Sequence, residues 1–200
     1  MSSYQIPVGL RTFLTPAAAL KGVVLPDPGE GLNLGRVVDE DKALTIAAEK
    51  ILSAKNPTLF PGPLVLWKTS GESSRMAEAV KKLGEWGGMN IIPMPDYRPK
   101  YPKINPESEI NPNHPNLTIW HNKIDVCVFV GVHCHYSNIA LKIIRGGSDC
   151  FTIALCSFAG DDEAHITIRD LTPEKVEKLA GRVKALRTRT AGVSTERAIV

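Results

Sequence analysis

Residues 130–138, VGVHCHYSN, are the part of the chain whose side chains are best suited to chemistry. His133 and His135 flank Cys134, and Tyr136 follows directly. Imidazole groups ligate metals, transfer protons or hydrogen-bond to a cofactor or a protein partner. A zinc site requires three or four ligands, and no further ligands follow at a familiar spacing. The stretch therefore predicts no metal site.

Cys134 is a candidate nucleophile, because neighbouring histidines and the start of a helix both favour the thiolate form. A small buried cysteine that only fills space is the commoner case. Cys127 lies inside an apolar run and is expected in the core. The four cysteines are separated by 6, 15 and 5 residues, which fits neither a zinc knuckle nor a disulfide-rich scaffold. We therefore expect reduced thiols and assign no catalytic residue.

A second candidate site is the segment TSGESS (69–74), which follows an apolar run and precedes a helical pattern. Ser70 and Gly71 would present backbone N–H groups to an anion at the start of that helix. Plain helix capping by the serines explains the same residues. The chain contains neither G-x-G-x-x-G nor G-x-x-x-x-G-K-[ST], so no established nucleotide motif supports the site.

The apolar run IDVCVFVGV (124–132) predicts the most buried strand of the protein, because it is continuously apolar like a parallel strand covered on both faces. Ligands of such sheets bind beyond the carboxyl ends of the strands. Gly131 would allow a tight turn or the close approach of a ligand, and Ser137 or Asn138 would cap the next helix. The residues that we predict to bind a cofactor or face a partner are Ser70, Gly71, Gly131, His133, His135, Tyr136, Ser137 and Asn138. Ordinary turn and capping roles are the alternative.

Strands and helices alternate along most of the chain. Strands are predicted at 64–68, 89–94, 124–132, 149–156 and 165–170. Helices are predicted over 39–55, from TSGESS to Trp86-Gly87-Gly88, over 137–145 and from Pro173 onwards. An exposed turn is predicted at Asp161, Asp162 and Glu163. This alternation predicts an α/β fold with a doubly wound parallel sheet.

The flanking segments lack a sustained periodicity. Residues 1–38 are predicted to be an extended N-terminal arm, and residues 191–200 a flexible tail. Between them, residues 39–190 are predicted to be a single domain. The segment 93–115 contains seven prolines in 23 positions, so we expect a long extended loop there. The arm and the loop could each dock on a partner protein or wrap around their own domain.

Charge and hydropathy limit the classes of partner. The chain has 24 basic and 21 acidic residues, a net charge of +3, with no basic stripe that would favour nucleic acid or an anionic membrane. No uncharged apolar run approaches the length of a membrane span, and the first residues lack a secretory h-region. We expect a cytoplasmic protein.

The stretch NKIDVCVFVGVHCHYSNIALKIIRGGSDCFTIAL (122–155) resembles the epsilon subunit of the acetyl-CoA decarbonylase/synthase complex, in the carbon monoxide dehydrogenase beta-subunit family. The similarity lies in the apolar strand ending in Gly-Val-His, the aromatic residue after it and the short helix before another strand. The layout extends over about residues 40–160.

The resemblance implies a Rossmann-like fold, similar to the nucleotide-binding middle domain of thiamine-diphosphate enzymes. It also implies an accessory subunit of anaerobic one-carbon metabolism that has no metal cluster and no catalytic centre. Such a subunit binds and stabilises the large nickel–iron–sulfur carbon monoxide dehydrogenase subunit, and the resemblance also implies a flavin-linked role in assisting electron transfer. We expect no intrinsic cofactor.

Two alternatives stay open. In the first, the chain is a nucleotide- or flavin-binding module of another multi-subunit oxidoreductase, with FAD or another nucleotide at the sheet edge near Ser70, Gly71, Gly131 and Ser137. In the second, it is a free-standing enzyme that uses Cys134 and a histidine.

Overall fold

A computed structural model describes residues 25–62, 65–66, 71–94 and 114–197; the side chains of Cys134 and of residues 190–197 are outside this description. The strands are β1 Glu30–Asn33, β2 Arg36–Asp39, β3 Pro57–Pro61, β4 Asn90–Ile91, β5 Val126–Val130, β6 Phe151–Leu155 and β7 Ile166–Ile168. The helices are α1 Glu40–Ser53, α2 Gly71–Gly87, α3 Pro115–His121, α4 Cys134–Gly147 and α5 Pro173–Arg197.

The described strands form one sheet in the order β2-β1-β7-β6-β5-β3-β4. Strands β3 to β7 pair in parallel, and the hairpin β1–β2 is added antiparallel to β7 at one edge. The predicted α/β class and doubly wound parallel sheet are confirmed.

Strand β5 lies between β3 and β6, and all five of its residues are buried. Its side chains alternate between the two faces of the sheet. Val126, Val128 and Val130 join the apolar cluster formed with α1, α2 and α5. Cys127 and Phe129 join a second cluster formed with α3 and α4. Covering on both faces explains why the run is continuously apolar.

Side-chain caps fix the starts of two helices. The Asp39 carboxylate accepts a hydrogen bond from the Asp41 N–H at 2.9 Å and caps α1. The Thr172 hydroxyl accepts one from the Lys175 N–H at 3.4 Å at the start of α5. Helix α2 ends at Gly87, before Gly88 with φ +62°. No helix in the described ranges is both long and apolar enough to cross a membrane.

The prediction of a strand at 64–68 is wrong. The strand that pairs with β5 on the side away from β6 is β3, residues 57–61. Val65 and Leu66 form a turn instead. The prolines at both ends of β3 are unfavourable for a central strand, so the sequence of residues 57–61 does not predict a strand in the middle of the sheet. Both prolines occupy the ends of the strand, where few ladder hydrogen bonds are needed from them.

Three further elements differ from the sequence-based boundaries. Residues 30–38 of the predicted arm 1–38, together with Asp39, form the hairpin β1–β2. Helix α3 was not predicted; it starts with Pro115, a residue favoured in the first helical turn. Helix α5 continues to Arg197, into the predicted tail. Residues 1–24 and 95–113 lie outside the described residues, so docking of the arm and the loop stays a prediction.

Candidate functional site

The carboxyl ends of the parallel strands form the edge of the sheet at which the candidate residues were predicted. From β3 the chain moves outwards to β4 and then returns to β5 on the other side of β3. Open α/β sheets bind ligands at such a switch point, where the loops after two adjacent strands diverge. Here β3 and β5 end at Pro61 and Val130. The switch point therefore lies at the next residues, Gly62 and Gly131.

The backbones of these two glycines pack against each other. The Gly62 N–H donates a hydrogen bond to the Val130 carbonyl at 2.8 Å. A Cβ atom on Gly62 would lie 2.1 Å from the Gly131 carbonyl oxygen, which excludes any side chain. Gly131 has φ +61°, and a Cβ atom there would lie 2.8 Å from Val65 Cγ2 and 3.3 Å from Leu171 Cδ2. The atoms that come close to Gly131 are thus side-chain atoms of the protein itself.

Helix α4 starts at Cys134, three residues before the predicted start. The His133 Nδ1 atom accepts a hydrogen bond from the His135 N–H at 3.3 Å and caps the helix. The His133 carbonyl accepts the N–H groups of Tyr136 and Ser137 at 2.8 and 3.0 Å. The capping role predicted for Ser137 or Asn138 is therefore wrong, because both lie inside the helix.

The Ser137 side chain instead bonds a buried carboxylate. Its hydroxyl lies 2.9 and 3.0 Å from Asp161 Oδ1 and Oδ2, and the two residues are only 1% and 2% exposed. The Asp161 N–H donates to the Thr167 hydroxyl at 2.9 Å, and that hydroxyl donates to the Ala154 carbonyl at 3.3 Å. A polar chain thus joins the first turn of α4 to β6 and β7.

Burial raises the pKa of Asp161 to about 6; the Ser137 hydrogen bond opposes the shift, and the neighbouring Asp162 carboxylate adds to it. Burial and the charge of Glu163 likewise raise the pKa of Asp162, against the opposing influence of Lys142 and Arg145. A carboxyl group that titrates near neutrality is one that an acid–base reaction or a pH-dependent contact can use.

The sequence predicts Asp161 in an exposed turn, but in the structure this residue is buried. The turn interpretation fits Asp162 and Glu163, which are only partly buried. Nothing in the local pattern GDDEA separates Asp161 from its neighbours, because its burial depends on Ser137 and Thr167 from two other elements.

The remaining candidate residues lie at the same edge or outside the described part. Gly71 is exposed, has φ +53° and is the first residue of α2, which follows β3. Asn138 Oδ1 is buried and has no hydrogen-bond partner within the described structure. Tyr136 packs against the second apolar cluster, the one formed with α3 and α4, and burial raises the pKa of its hydroxyl. Ser70 lies outside the described residues.

The rim formed by His133, His135 and the turn at Gly131 presents two exposed imidazole groups at the N-terminal end of α4. The Nδ1 atom of His133 is occupied by the helix cap, which leaves its Nε2 atom for an outside partner. Among the described residues, no three His, Cys, Asp or Glu side chains are grouped so that they could hold a metal ion. The rim can therefore donate and accept hydrogen bonds to a ligand or a protein surface.

The chain matches the model of a known protein family. The family model described as CO dehydrogenase beta subunit/acetyl-CoA synthase epsilon subunit matches residues 22–182. Among curated proteins, none matches the chain. The matched range includes all seven strands described above and the first part of α5.

Proposed function

We propose that the chain is a non-catalytic accessory subunit of a CO dehydrogenase/acetyl-CoA synthase-type complex. The proposal starts from the family: the chain belongs to the CO dehydrogenase beta subunit/acetyl-CoA synthase epsilon subunit family. In this role it binds the large metal-cluster subunit and stabilises it. The observation that carries the proposal is the extent of the family match, residues 22–182. The match covers the complete sheet and not an isolated motif.

Exposed apolar side chains support a role in protein contact. On α3, Leu117 and Trp120 are 54% and 58% exposed, and residues three apart lie on the same helix face. Ile139 on the neighbouring α4 is 48% exposed. Large aromatic and aliphatic side chains exposed in this way are typical of interfaces. We assign Leu117 and Trp120, the α3 surface, to the contact with the large subunit.

Anaerobic purification of the tagged chain from its own cells tests the proposal. We expect it to elute in an assembly far above its own 21.8 kDa, together with a nickel–iron–sulfur subunit identified by mass spectrometry and metal analysis. Elution as a lone monomer without that subunit would contradict the proposal.

A double variant tests the contact surface. Leu117→Ser with Trp120→Ser should weaken co-purification of the large subunit at least tenfold, because truncating interface anchors removes most of their binding energy. The control is Leu34→Ser, which changes an apolar side chain of similar exposure, 63%, at the β1–β2 turn. Equal retention of the large subunit by both variants would exclude the α3 surface but leave the accessory role intact.

A depletion experiment tests stabilisation. Removing this subunit from the purified complex should shorten the thermal half-life of the large subunit's activity without lowering its initial turnover. Adding the chain back should restore the half-life. Unchanged half-life would exclude stabilisation, and loss of initial turnover would point to a direct role in the reaction. Cys134→Ala should leave turnover unchanged if the chain is not itself an enzyme.

A flavin- or nucleotide-binding role in electron transfer is the second candidate. The observation that favours it is the position of Gly71 and Gly131, both with positive φ, at the carboxyl edge of strands that flank a switch point. Under this alternative, the purified chain shows visible flavin bands or releases a nucleotide on denaturation. A colourless protein that releases no nucleotide would exclude it.

A further inference from the structure

An aromatic side chain is held outwards at the carboxyl edge of the sheet. Phe158 is 63% exposed and lies in the loop that follows β6. The backbone of this loop is fixed on both sides of the ring. The Phe158 carbonyl accepts the Asp170 N–H at 2.9 Å, and the Phe158 N–H donates to the Cys156 sulfur at 3.3 Å. The ring therefore has a defined place on the surface of the domain.

Two further apolar side chains lie along the same edge. Leu171 follows β7, and its N–H donates to the Cys156 carbonyl at 2.9 Å, which places it beside the loop of Phe158. Val65 and Leu171 both approach Gly131, where a Cβ atom would lie 2.8 and 3.3 Å from their methyl groups. Both side chains are only partly buried. Phe158, Leu171 and Val65, the Phe158 surface, thus extend from the loop after β6 to the switch point.

The chain enters the described structure at the border of this surface. Pro26 is buried against Gly160, where a Cβ atom would lie 3.5 Å from Pro26 Cδ. The Pro26 carbonyl accepts a hydrogen bond from Arg169 Nη1 at 2.6 Å. Gly160 comes two residues after Phe158 in the same loop. Residues 1–24, which lie outside the described residues, therefore join the domain next to the exposed ring.

The residues just before Pro26 are apolar. Residues 17–24, AAALKGVV, contain six apolar residues, one lysine and one glycine. Burying apolar surface of the segment against apolar surface of the domain removes both from water, which is favourable in proportion to the area covered. The segment therefore suits the Phe158 surface in hydropathy.

Charge is complementary as well. Residues 1–24 contain two basic residues and no acidic residue. The loop after β6 continues into the carboxylates of Asp162 and Glu163, and Glu163 is already paired with Lys142 at 3.2 Å. Asp162, which is partly buried, is thus the carboxylate that the Lys21 ammonium would pair with.

The length of the segment is sufficient for the distance to be covered. Adjacent strands lie about 4.8 Å apart, so the ends of β7 and β5, with β6 between them, are separated by roughly 10 Å. An extended chain advances about 3.3 Å per residue, so three residues cross this distance. Residues 17–24 are therefore long enough to pass from Pro26 over the ring of Phe158 to the rim.

We propose that residues 17–24 of the same chain dock on the Phe158 surface and cross the loop after β6 towards the rim. Val23 and Val24 cover the ring of Phe158, and the Lys21 ammonium pairs with the Asp162 carboxylate. The docked segment shields the apolar side of the switch point from water. A molecule that binds at the rim therefore contacts this segment as well as the domain.

Cysteine cross-linking in the full chain tests the position of the segment. With Val23→Cys and Ser157→Cys, a short bis-maleimide should join the two thiols within one chain, as identified by peptide mass mapping. The control combines Val23→Cys with Leu117→Cys, a position that is 54% exposed on α3. Its yield should be at least about fivefold lower, because docking raises the effective concentration of the first pair only. Adding Phe158→Ser to the first pair should lower its yield by a similar factor.

Hydrogen exchange followed by mass spectrometry tests coverage without added cysteines. In the double variant Val23→Ser with Val24→Ser, the amides of residues 157–160 should exchange at least about tenfold faster than in the wild type, because opening of the loop no longer breaks the docked contacts. The amides of α3 should exchange equally fast in both proteins and provide the internal control.

Three results would each overturn this assignment. Equal yields for the two cysteine pairs, with unchanged exchange at residues 157–160, would show that the segment docks elsewhere. Cross-links that form only between two chains would assign the Phe158 surface to a second copy. Protection of residues 157–160 that appears only when the large subunit is present would assign it to that partner.

Discussion

At the scale of single residues, the buried carboxyl of Asp161 links folding to pH. Its side chain accepts the Ser137 hydroxyl in a space where water does not compensate a negative charge. Burial therefore raises the pKa of Asp161 from 3.8 to about 6. Between these two pH values the folded protein holds a proton that the unfolded chain releases. The stability contributed by this proton is complete below pH 3.8 and is lost as the pH rises through 6.

The variant Asp161→Asn tests this linkage. Its amide does not titrate, so from pH 4 to pH 7 the free energy of unfolding of the wild type should fall relative to the variant by roughly 2–3 kcal/mol. Urea denaturation followed by circular dichroism at several pH values measures both proteins. Asp149→Asn, which changes an exposed carboxylate, should give a curve parallel to the wild type. Parallel curves for Asp161→Asn would show that Asp161 does not titrate in this range.

At the scale of elements, contact between the ends of β3 and β5 depends on two glycines. A side chain on Gly62 would collide with backbone atoms of Gly131, and backbone cannot rotate away as a flexible side chain can. The contact sets the spacing of the two loops at the switch point, and the second of these loops leads into the cap of α4. Any substitution at Gly62 therefore displaces the rim as well as the strands.

Gly62→Ala should lower the free energy of unfolding by at least about 3 kcal/mol, because the added methyl group has no space. The matched control is Gly181→Ala in α5, where a Cβ atom would meet nothing within 4 Å. That substitution should raise the stability by about 0.5–1 kcal/mol, since alanine is the better helix former. Denaturant titration measures the free energy of unfolding of both variants. Similar stabilities would contradict the close contact between Gly62 and the Gly131 backbone.

At the scale of the whole molecule, α5 is joined to the start of α1 by charge pairs. The Lys175 ammonium lies 2.6 Å from a Glu40 carboxylate oxygen, and these side chains are only 18% and 13% exposed. The same ammonium donates to the Arg169 carbonyl at 2.8 Å. Lys178 and Arg182 both pair with Asp41, and chiefly the hydrogen bond from Lys178 lowers the pKa of that carboxyl. Basic residues of α5 thus complement the acidic first turn of α1.

Lys175→Met should destabilise the protein by about 2–4 kcal/mol, because it leaves the largely buried Glu40 carboxylate without its cation. Arg75→Met is the control, since it removes an ion pair with Glu174 whose side chains are 53% and 61% exposed. Exposed pairs contribute less than about 1 kcal/mol. The two effects are compared by chemical denaturation at one pH and salt concentration. Equal losses would mean that burial of the Lys175 pair adds nothing.

The sequence by itself determined the layers of the fold. The continuous apolar run around β5 and the amphipathic patterns of α1, α2 and α5 each report burial within a single segment, so periodicity is sufficient to predict them. The family likeness was also readable from residues 122–155, because it concerns consecutive residues. The position of the rim after β5 followed from the same run, although its binding role stays a prediction.

Only the tertiary structure decided which residues of different segments meet. The burial of Asp161 depends on Ser137, 24 residues away in sequence. The place of Gly62 in the sheet depends on Gly131, and the hairpin β1–β2 became part of the sheet by pairing with β7. Such contacts leave no periodic trace in either segment, because each partner obtains its environment from the other. For this reason the turn at Asp161 and the strand β3 were misassigned, while the central strand was not.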